Sequence, residues 1–402
     1  MNDIFSKLVE MTAFNVIGWQ TILMWAIAFV LLYLGIRKQY EPLLLVPIGF
    51  GVLLANLPGA GLGIVDASLV HTADGSYMNL LEIANEYGIM NFLYYALIKT
   101  GLLPPIIFMG VGALTDFGPM LRNLKLSLFG GAAQLGIFSV LIIAILIGFD
   151  LREAGSLAII GGADGPTAIY TTIKLAPHLL GPIAIAAYSY MALVPVIIPM
   201  VAKLLMNEKD FGIHMKKMDK LYPPKHEIKH LKTVKIIFPI VMGLAVAVFV
   251  PSSAPLVGML LFGNLVKEIG SSTSRLAEAA SGPIMNTATI FLGLTVGATM
   301  TAEVFLSPRT LGIIVGGFLA FAISVAGGIL AVKVYNMFSK KKINPLVGAT
   351  GLSAVPMASR VANEMALKYD KSNHILQYCM ASNVSGVIGS AVAAGVLISF
   401  LG

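Results

Sequence analysis

The sequence predicts an all-α polytopic membrane protein, and three observations support this prediction. Of its 402 residues, 57% are hydrophobic and 12% are charged, and the mean hydropathy is +0.85, far from that of soluble globular proteins. Apolar runs of membrane length recur from Gly18 to Leu401, so we expect one membrane domain over residues 1–402. Lysine and arginine cluster between those runs, as in cytoplasmic loops, so the net charge of +7 does not indicate binding to nucleic acid.

The apolar runs set the order of the predicted helices. They are Gly18–Ile36, Leu43–Leu57, Leu102–Leu114, Leu126–Phe149, Gly181–Leu205, Val234–Val250, Ala254–Val266, Ile284–Ala298, Leu311–Phe338 and His374–Leu401. Acidic residues interrupt the pattern between residues 60 and 99, which predicts a surface loop with amphipathic helical pieces, part of which could dip into or cross the bilayer. A polar piece is expected from Lys267 to Ser281, and Pro195 and Pro199 predict a kink in the helix that contains them.

A glycine-rich stretch around Asp164 breaks this pattern. It reads Gly161-Gly162-Ala163-Asp164-Gly165-Pro166-Thr167, and Gly-Gly and Gly-Pro do not continue a helix comfortably, so the backbone should turn here. Inside a bilayer such a turn frees carbonyl groups, which, with the Asp164 carboxylate and the Thr167 hydroxyl, make an oxygen cage for a hard cation. The alternative is a loop outside the membrane with a solvated aspartate.

A second glycine-rich, proline-interrupted stretch runs from Asn344 to Arg360. It contains an amide (Asn344), a bare backbone position (Gly348), a hydroxyl (Ser353) and a guanidinium (Arg360). A guanidinium at the mouth of an apolar cavity can hold a carboxylate through two parallel hydrogen bonds. The alternative is an arginine that only extends to the membrane interface.

The two stretches belong to an internal repeat. Residues 162–169 read like residues 348–355, which lie 186 positions later, and Gly130-Gly131 and Gly316-Gly317 show the same offset. We therefore expect a repeat over roughly residues 100–205 and 283–402, joined through a basic loop (206–233) and the spans in 234–266. If the lysines of that loop and of Lys340–Lys342 are all cytoplasmic, the two stretches enter the membrane from opposite sides. This predicts a transporter-like fold of inverted repeats with two re-entrant or broken-helix hairpins.

At these hairpins the chain resembles the integral-membrane beta subunit of the sodium-translocating, biotin-dependent decarboxylases of oxaloacetate, methylmalonyl-CoA and glutaconyl-CoA. The resemblance rests on the Gly161–Thr167 stretch and on Asn344-(three residues)-Gly348-(four)-Ser353-(six)-Arg360. It implies a bacterial or archaeal cell-membrane protein that releases carbon dioxide from carboxybiotin and exports sodium ions while a proton enters. The implied partners are a biotin carrier protein, a carboxyltransferase subunit, a small membrane-anchored gamma-type subunit and further copies of this chain.

The resemblance also implies roles for individual residues. Asp164 and Thr167 would bind sodium in the first group, and the second group would add Asn344, Gly348, Ser353 and Asn383, the last in the final span. Ser353 and Arg360 would hold carboxybiotin. No histidine or cysteine lies in either hairpin to supply a proton, so Asp164 and Tyr190 are candidate proton carriers, although Tyr190 could equally pack as a core aromatic with its hydroxyl on a neighbouring carbonyl. A sodium-coupled carboxylate transporter and a purely structural or receptor-type bundle remain the alternatives.

Overall fold

The computed structural model describes residues 12–39, 41–72, 76–162, 164–222, 228, 230–353 and 357–402. Over these residues the chain is helical, and its only β-pairing is an isolated bridge between His71 and Tyr77. Six of the described helices are long and apolar enough to cross a bilayer, or eight spans if each of two bent helix pairs crosses once. The predicted all-α polytopic membrane protein is therefore confirmed.

The α-helices are numbered along the chain. They are α1 Trp19–Ile36, α2 Pro42–Ala55, α3 Leu80–Leu93, α4 Leu103–Leu114, α5 Gly118–Arg122, α6 Leu124–Ala133, α7 Leu135–Ile147, α8 Leu151–Ala158, α9 Gly165–Leu175, α10 Leu180–Leu205, α11 Glu208–Phe211, α12 Met215–Leu221, α13 Leu231–Phe249, α14 Ala254–Ile269, α15 Ser274–Ala279, α16 Met285–Ala298, α17 Ala302–Phe305, α18 Pro308–Phe338, α19 Leu346–Ala349, α20 Met357–Tyr369 and α21 Leu376–Leu401.

Two segments that were predicted to be polar contain helices. The stretch from 60 to 99 was expected to be a surface loop with amphipathic helical pieces, and its long helical piece is α3, which starts on a capping box of Asn79 and Glu82 and is followed by a helical turn to Ile98. The polar piece expected from Lys267 to Ser281 overlaps a candidate span that begins at Ser271, so the span predicted from Ile284 starts earlier than expected. There the Ser281 hydroxyl donates to the Ala277 carbonyl at 2.7 Å, so the helix accommodates this small polar side chain.

The chain forms two compact units. The first comprises the described residues up to 103 together with 287–312, and the second comprises 104–286 with 313–402. In the first unit α1 packs on α2. There α2 meets the backbone of α16 at Gly51 and Gly297, where a Cβ on Gly51 would lie 2.3 Å from the Leu294 carbonyl oxygen.

The second unit contains both glycine-rich stretches, each of which interrupts a helix. The helices that follow the two interruptions, α9 and α20, each pack against the same two long helices, α10 and α21. The α10 span is bent by 67° between Met191 and Leu193. This is the predicted kink, and it falls one turn before Pro195, whose ring cannot accommodate the carbonyl of the residue four positions earlier.

Candidate functional site

The first interruption, which we call break one, consists of residues 162–164 between α8 and α9. Its middle residue, Ala163, lies outside the described residues. Asp164 is the N-cap of α9: its backbone is extended, and its Oδ1 accepts from the Thr167 backbone N–H at 2.8 Å. Since α9 has 11 residues, it is about 16 Å long, roughly half the thickness of a bilayer core. The predicted turn at Asp164 is thus present, and it starts a helix too short to span the membrane.

The second interruption, break two, consists of residues 350–356 between α19 and α20. Its last three residues, 354–356, lie outside the described residues. The Ser353 hydroxyl donates to Asp164 Oδ2 at 3.0 Å, and the Ser353 backbone N–H donates to the Gly162 carbonyl at 3.2 Å. Both side chains are buried, Asp164 with 8% and Ser353 with 4% of its surface exposed. The structure therefore brings the two breaks together at a junction of Asp164 and Ser353, which are 189 residues apart in the chain.

Side-chain amides hold the carbonyl groups of break two. Asn383 Nδ2 donates to the Thr350 carbonyl at 2.9 Å and to the Leu352 carbonyl at 2.6 Å. Gln134 Nε2 donates to the carbonyl between them, that of Gly351, at 3.2 Å. The three consecutive carbonyls of this turn, those of Thr350, Gly351 and Leu352, therefore already accept hydrogen bonds from amide nitrogens.

Several oxygen atoms around the junction are buried without a hydrogen-bond partner. Among the described residues these include Tyr188 Oη, Asn383 Oδ1 and Gln134 Oε1. Buried polar atoms are nearly always paired in proteins, so a group of unpaired oxygens near a buried carboxylate requires an explanation. Hydroxyl, amide and carboxylate oxygens are the ligands that hard cations prefer. The described residues contain no group of three or more His, Cys, Asp or Glu side chains that could hold a metal ion.

Comparison with known proteins identifies the family. Residues 20–401 match the family described as Na+-transporting oxaloacetate decarboxylase beta subunit. The chain is 48% identical over 395 residues to methylmalonyl-CoA decarboxylase subunit beta of Propionigenium modestum, which covers 97% of each chain. It is 44% identical to the oxaloacetate decarboxylase beta chain of Klebsiella pneumoniae, over 94% of each chain. It is 42% identical to glutaconyl-CoA decarboxylase subunit beta of Acidaminococcus fermentans, over 99% of this chain and 97% of that one.

The chain belongs to this family. It is therefore a multi-pass membrane subunit, the beta subunit of a sodium-transporting, biotin-dependent decarboxylase that works as a multi-subunit complex. This membership confirms the resemblance seen in the sequence. It also favours the decarboxylase over the carboxylate transporter that the residues alone left open.

Two predicted site residues of the beta subunit position α19. Asn344 Nδ2 donates to the Phe211 and Ile213 carbonyls, both at 3.1 Å, and its Oδ1 accepts from the Leu346 N–H at 3.1 Å. Gly348 lies against α18, where a Cβ would come within 2.0 Å of the Gly328 carbonyl oxygen. Among the described residues, neither Asn344 nor Gly348 forms a hydrogen bond with Asp164 or Ser353. Their role in binding sodium stays a prediction.

Among the described residues, neither Tyr190 nor Arg360 is hydrogen-bonded to Asp164 or Ser353. The Tyr190 hydroxyl donates to the Ile314 carbonyl, and its ring packs edge-on against Phe318 with the centroids 6.0 Å apart. This is the contact that a packed core tyrosine would make. Arg360 is exposed on the first turn of α20, and its guanidinium makes no hydrogen bond or ion pair with the residues that the structure describes.

Sequence reasoning missed two residues of the junction. The Tyr188 ring covers Gly165, the residue after Asp164, with Cε1 only 1.9 Å from where a Cβ on Gly165 would be. Gln134 is an amide within the apolar run from Leu126 to Phe149, and this isolated polar residue was a signal that could have been used.

Proposed function

We propose that the junction of Asp164 and Ser353 binds the sodium ion that this subunit transports. The observation that supports this proposal is the 3.0 Å hydrogen bond between the two side chains, one from each break, beside buried oxygens that have no partner. Asp164 supplies the charge, and Ser353 and Thr167 supply hydroxyl oxygens. Asn383 adds its unpaired Oδ1. These are oxygen ligands of the kind that a hard cation takes.

Burial explains how sodium can be exchanged for a proton at this junction. A carboxylate that is 8% exposed in a membrane protein is costly while it is charged and unpaired. Either a sodium ion or a proton removes that cost, so Asp164 holds one or the other. Arrival of sodium displaces the proton, and its departure requires a proton to return.

Two-sided access follows from the predicted inverted repeats, residues 100–205 and 283–402. Support for this arrangement comes from α9 and α20, each of which contacts both α10 and α21. Helices related by such a repeat can expose one central site first to one side of the membrane and then to the other. We propose that break one faces the outside and break two the cytoplasm, so that sodium leaves the cell as a proton enters.

The decarboxylation step takes place on carboxybiotin, which a biotin carrier protein brings from the carboxyltransferase subunit. We assign to Arg360, which is exposed on α20, the role of holding the carboxylate of the incoming group. The bond between the carboxyl carbon and biotin N1 breaks, the electron pair stays on N1, and carbon dioxide leaves. N1 then takes the proton that sodium displaces from Asp164, with Tyr190 as a second candidate carrier. A small gamma-type subunit and further copies of this chain complete the proposed complex.

Sodium transport by the reconstituted complex tests the proposal. In proteoliposomes, Asp164→Asn should abolish sodium uptake driven by decarboxylation, since the amide keeps the helix cap and loses the charge. Asp150→Asn is the matched control, because Asp150 is also an N-cap that accepts a backbone N–H, at 3.1 Å, but is exposed. Uptake by Asp164→Asn equal to that of Asp150→Asn would reject the proposed site. An avidin blot of the purified complex tests separately for a biotinylated partner.

A further inference from the structure

We infer that Gln134 is a further sodium ligand of this transport site, and that it joins the two breaks around the ion. The inference rests on the proposed sodium site at Asp164. It adds a residue from a third element, the joint between α6 and α7, which lies in neither glycine-rich stretch.

The orientation of the Gln134 amide follows from its neighbours. The side chain is 6% exposed, and its Nε2 faces the carbonyl oxygens of Gly130, Gly351 and Gly386 at 3.1, 3.2 and 3.4 Å. Only the nitrogen of an amide can donate to carbonyl oxygens, so this end is fixed and the oxygen must point the other way. Gln134 is therefore anchored to break two through its nitrogen.

The oxygen end of Gln134 reaches break one. A Cβ built on Gly162 would lie 2.5 Å from Gln134 Oε1, so the oxygen is in contact with the backbone two residues before Asp164. It can come so close only because Gly162 has no side chain. This oxygen is buried and has no hydrogen-bond partner among the described residues. One side chain thus donates to a carbonyl of break two and presents an unpaired oxygen to break one.

Asn383 repeats this arrangement from the opposite element, α21. Its nitrogen donates to the carbonyls of Thr350 and Leu352, which flank Gly351, and its Oδ1 is also buried and unpaired. The two amide nitrogens donate to three consecutive carbonyls of break two, and the two amide oxygens remain unpaired. An amide oxygen is a neutral ligand for a hard cation, so these oxygens complement the single carboxylate of Asp164. The sequence predicted cation binding by free carbonyl groups of the Asp164 turn. We assign that role to the amide oxygen of Gln134.

Sodium binding to the purified decarboxylase complex tests this role without relying on turnover. The unfolding temperature is measured against sodium chloride concentration, with choline chloride keeping the ionic strength constant, because an ion that binds the folded state raises that temperature. Gln134→Met removes both polar ends with little change of shape and should raise the half-saturating sodium concentration about tenfold, as for one lost contact. Gln134→Asn keeps the amide but shortens the side chain by one methylene group, so its oxygen withdraws from the ion and the half-saturating sodium concentration should also rise.

A structural role would give a different result. Asn264 supplies the matched control: it is fully buried, its Nδ2 donates to the Gly112 and Thr115 carbonyls at 3.4 and 2.8 Å, and its Oδ1 is unpaired. Asn264→Leu should lower the unfolding temperature and leave the half-saturating sodium concentration unchanged. If both Gln134 variants behave in the same way, the inference is wrong. If Gln134→Met does not fold, Gln134→Asn decides, since a half-saturating sodium concentration equal to or below that of the parent would overturn the role.

Failure of this inference can be told apart from failure of the proposed site. Asp164→Asn should abolish the sodium-dependent rise in unfolding temperature. If that rise persists, the sodium site does not involve Asp164, and the function proposed above fails first. If the rise is lost in Asp164→Asn but the Gln134 variants match the parent, only the role of Gln134 is rejected.

Discussion

Adding one methyl group at Gly165 tests how tightly the junction is packed. Gly165 follows Asp164, and a Cβ there would lie 1.9 Å from Tyr188 Cε1 and 2.2 Å from Tyr188 Cζ. The Tyr188 side chain is 1% exposed, so its ring has no open space into which it can move. Gly165→Ala must therefore displace either the ring or the start of α9, and with it the Asp164 carboxylate.

Two opposing terms set the size of this effect. Overpacking a buried site costs about 1–3 kcal/mol. Replacing glycine by alanine in a helix returns about 0.5–1 kcal/mol, because less backbone freedom is lost on folding. The free energy of unfolding of Gly165→Ala should therefore fall by about 1 kcal/mol, and by about 2.5 kcal/mol at most. In Gly131→Ala, by contrast, the added methyl group meets nothing within 4 Å on α6, so this control should be stabilised slightly.

The assay is the unfolding temperature of the purified complex, measured in choline chloride and again in sodium chloride. Gly165→Ala should unfold at a lower temperature than the parent and Gly131→Ala at an equal or higher one. Because Asp164 moves with the start of α9, the rise caused by sodium should also shrink in Gly165→Ala alone. An unfolding temperature for Gly165→Ala at or above that of Gly131→Ala would refute the packing argument.

Three further predictions concern recognition, access and pH. Arg360→Lys should reduce decarboxylation at least tenfold, because an ammonium lacks the paired donors of a guanidinium; equal rates would show that Arg360 only reaches the interface. Ser353→Cys in a Cys379→Ser background should react with a membrane-impermeant thiol reagent only from the cytoplasmic side and more slowly with sodium; labelling from outside alone would contradict the topology. Burial raises the pKa of Asp116, but the hydrogen bonds from Lys235 and from the Gly118 N–H, together with the charges of Lys235 and Lys267, outweigh burial and hold that pKa below its usual value. Asp116→Asn should therefore lower the unfolding temperature at pH 7, and thermal scans should show the difference vanishing as the pH falls below about 4.

The sequence carried most of the information about the fold class. Hydropathy and the spacing of charged residues predicted the α1, α6–α7, α10, α13, α18 and α21 helices, because burial in lipid requires long apolar runs with internally paired backbone. The same reasoning was weakest from residue 60 to 99 and from 267 to 281. In those segments polar side chains bond within a helix or cap it, as Asn79 and Ser281 do, so polarity alone did not show where each helix begins.

For the site, the sequence determined which two segments to examine, and the tertiary structure decided which atoms meet there. Glycine and proline act on their own backbone, so the breaks at Asp164 and Ser353 were predictable from local chemistry. The pairing of these side chains at 3.0 Å links residues 189 positions apart and depends on how the helices pack. The same is true of Gln134, whose amide joins both breaks from a helix that composition alone marks only as apolar. Local backbone preference depends on neighbouring residues in the sequence, whereas the partner of a buried polar atom depends on how the whole unit packs.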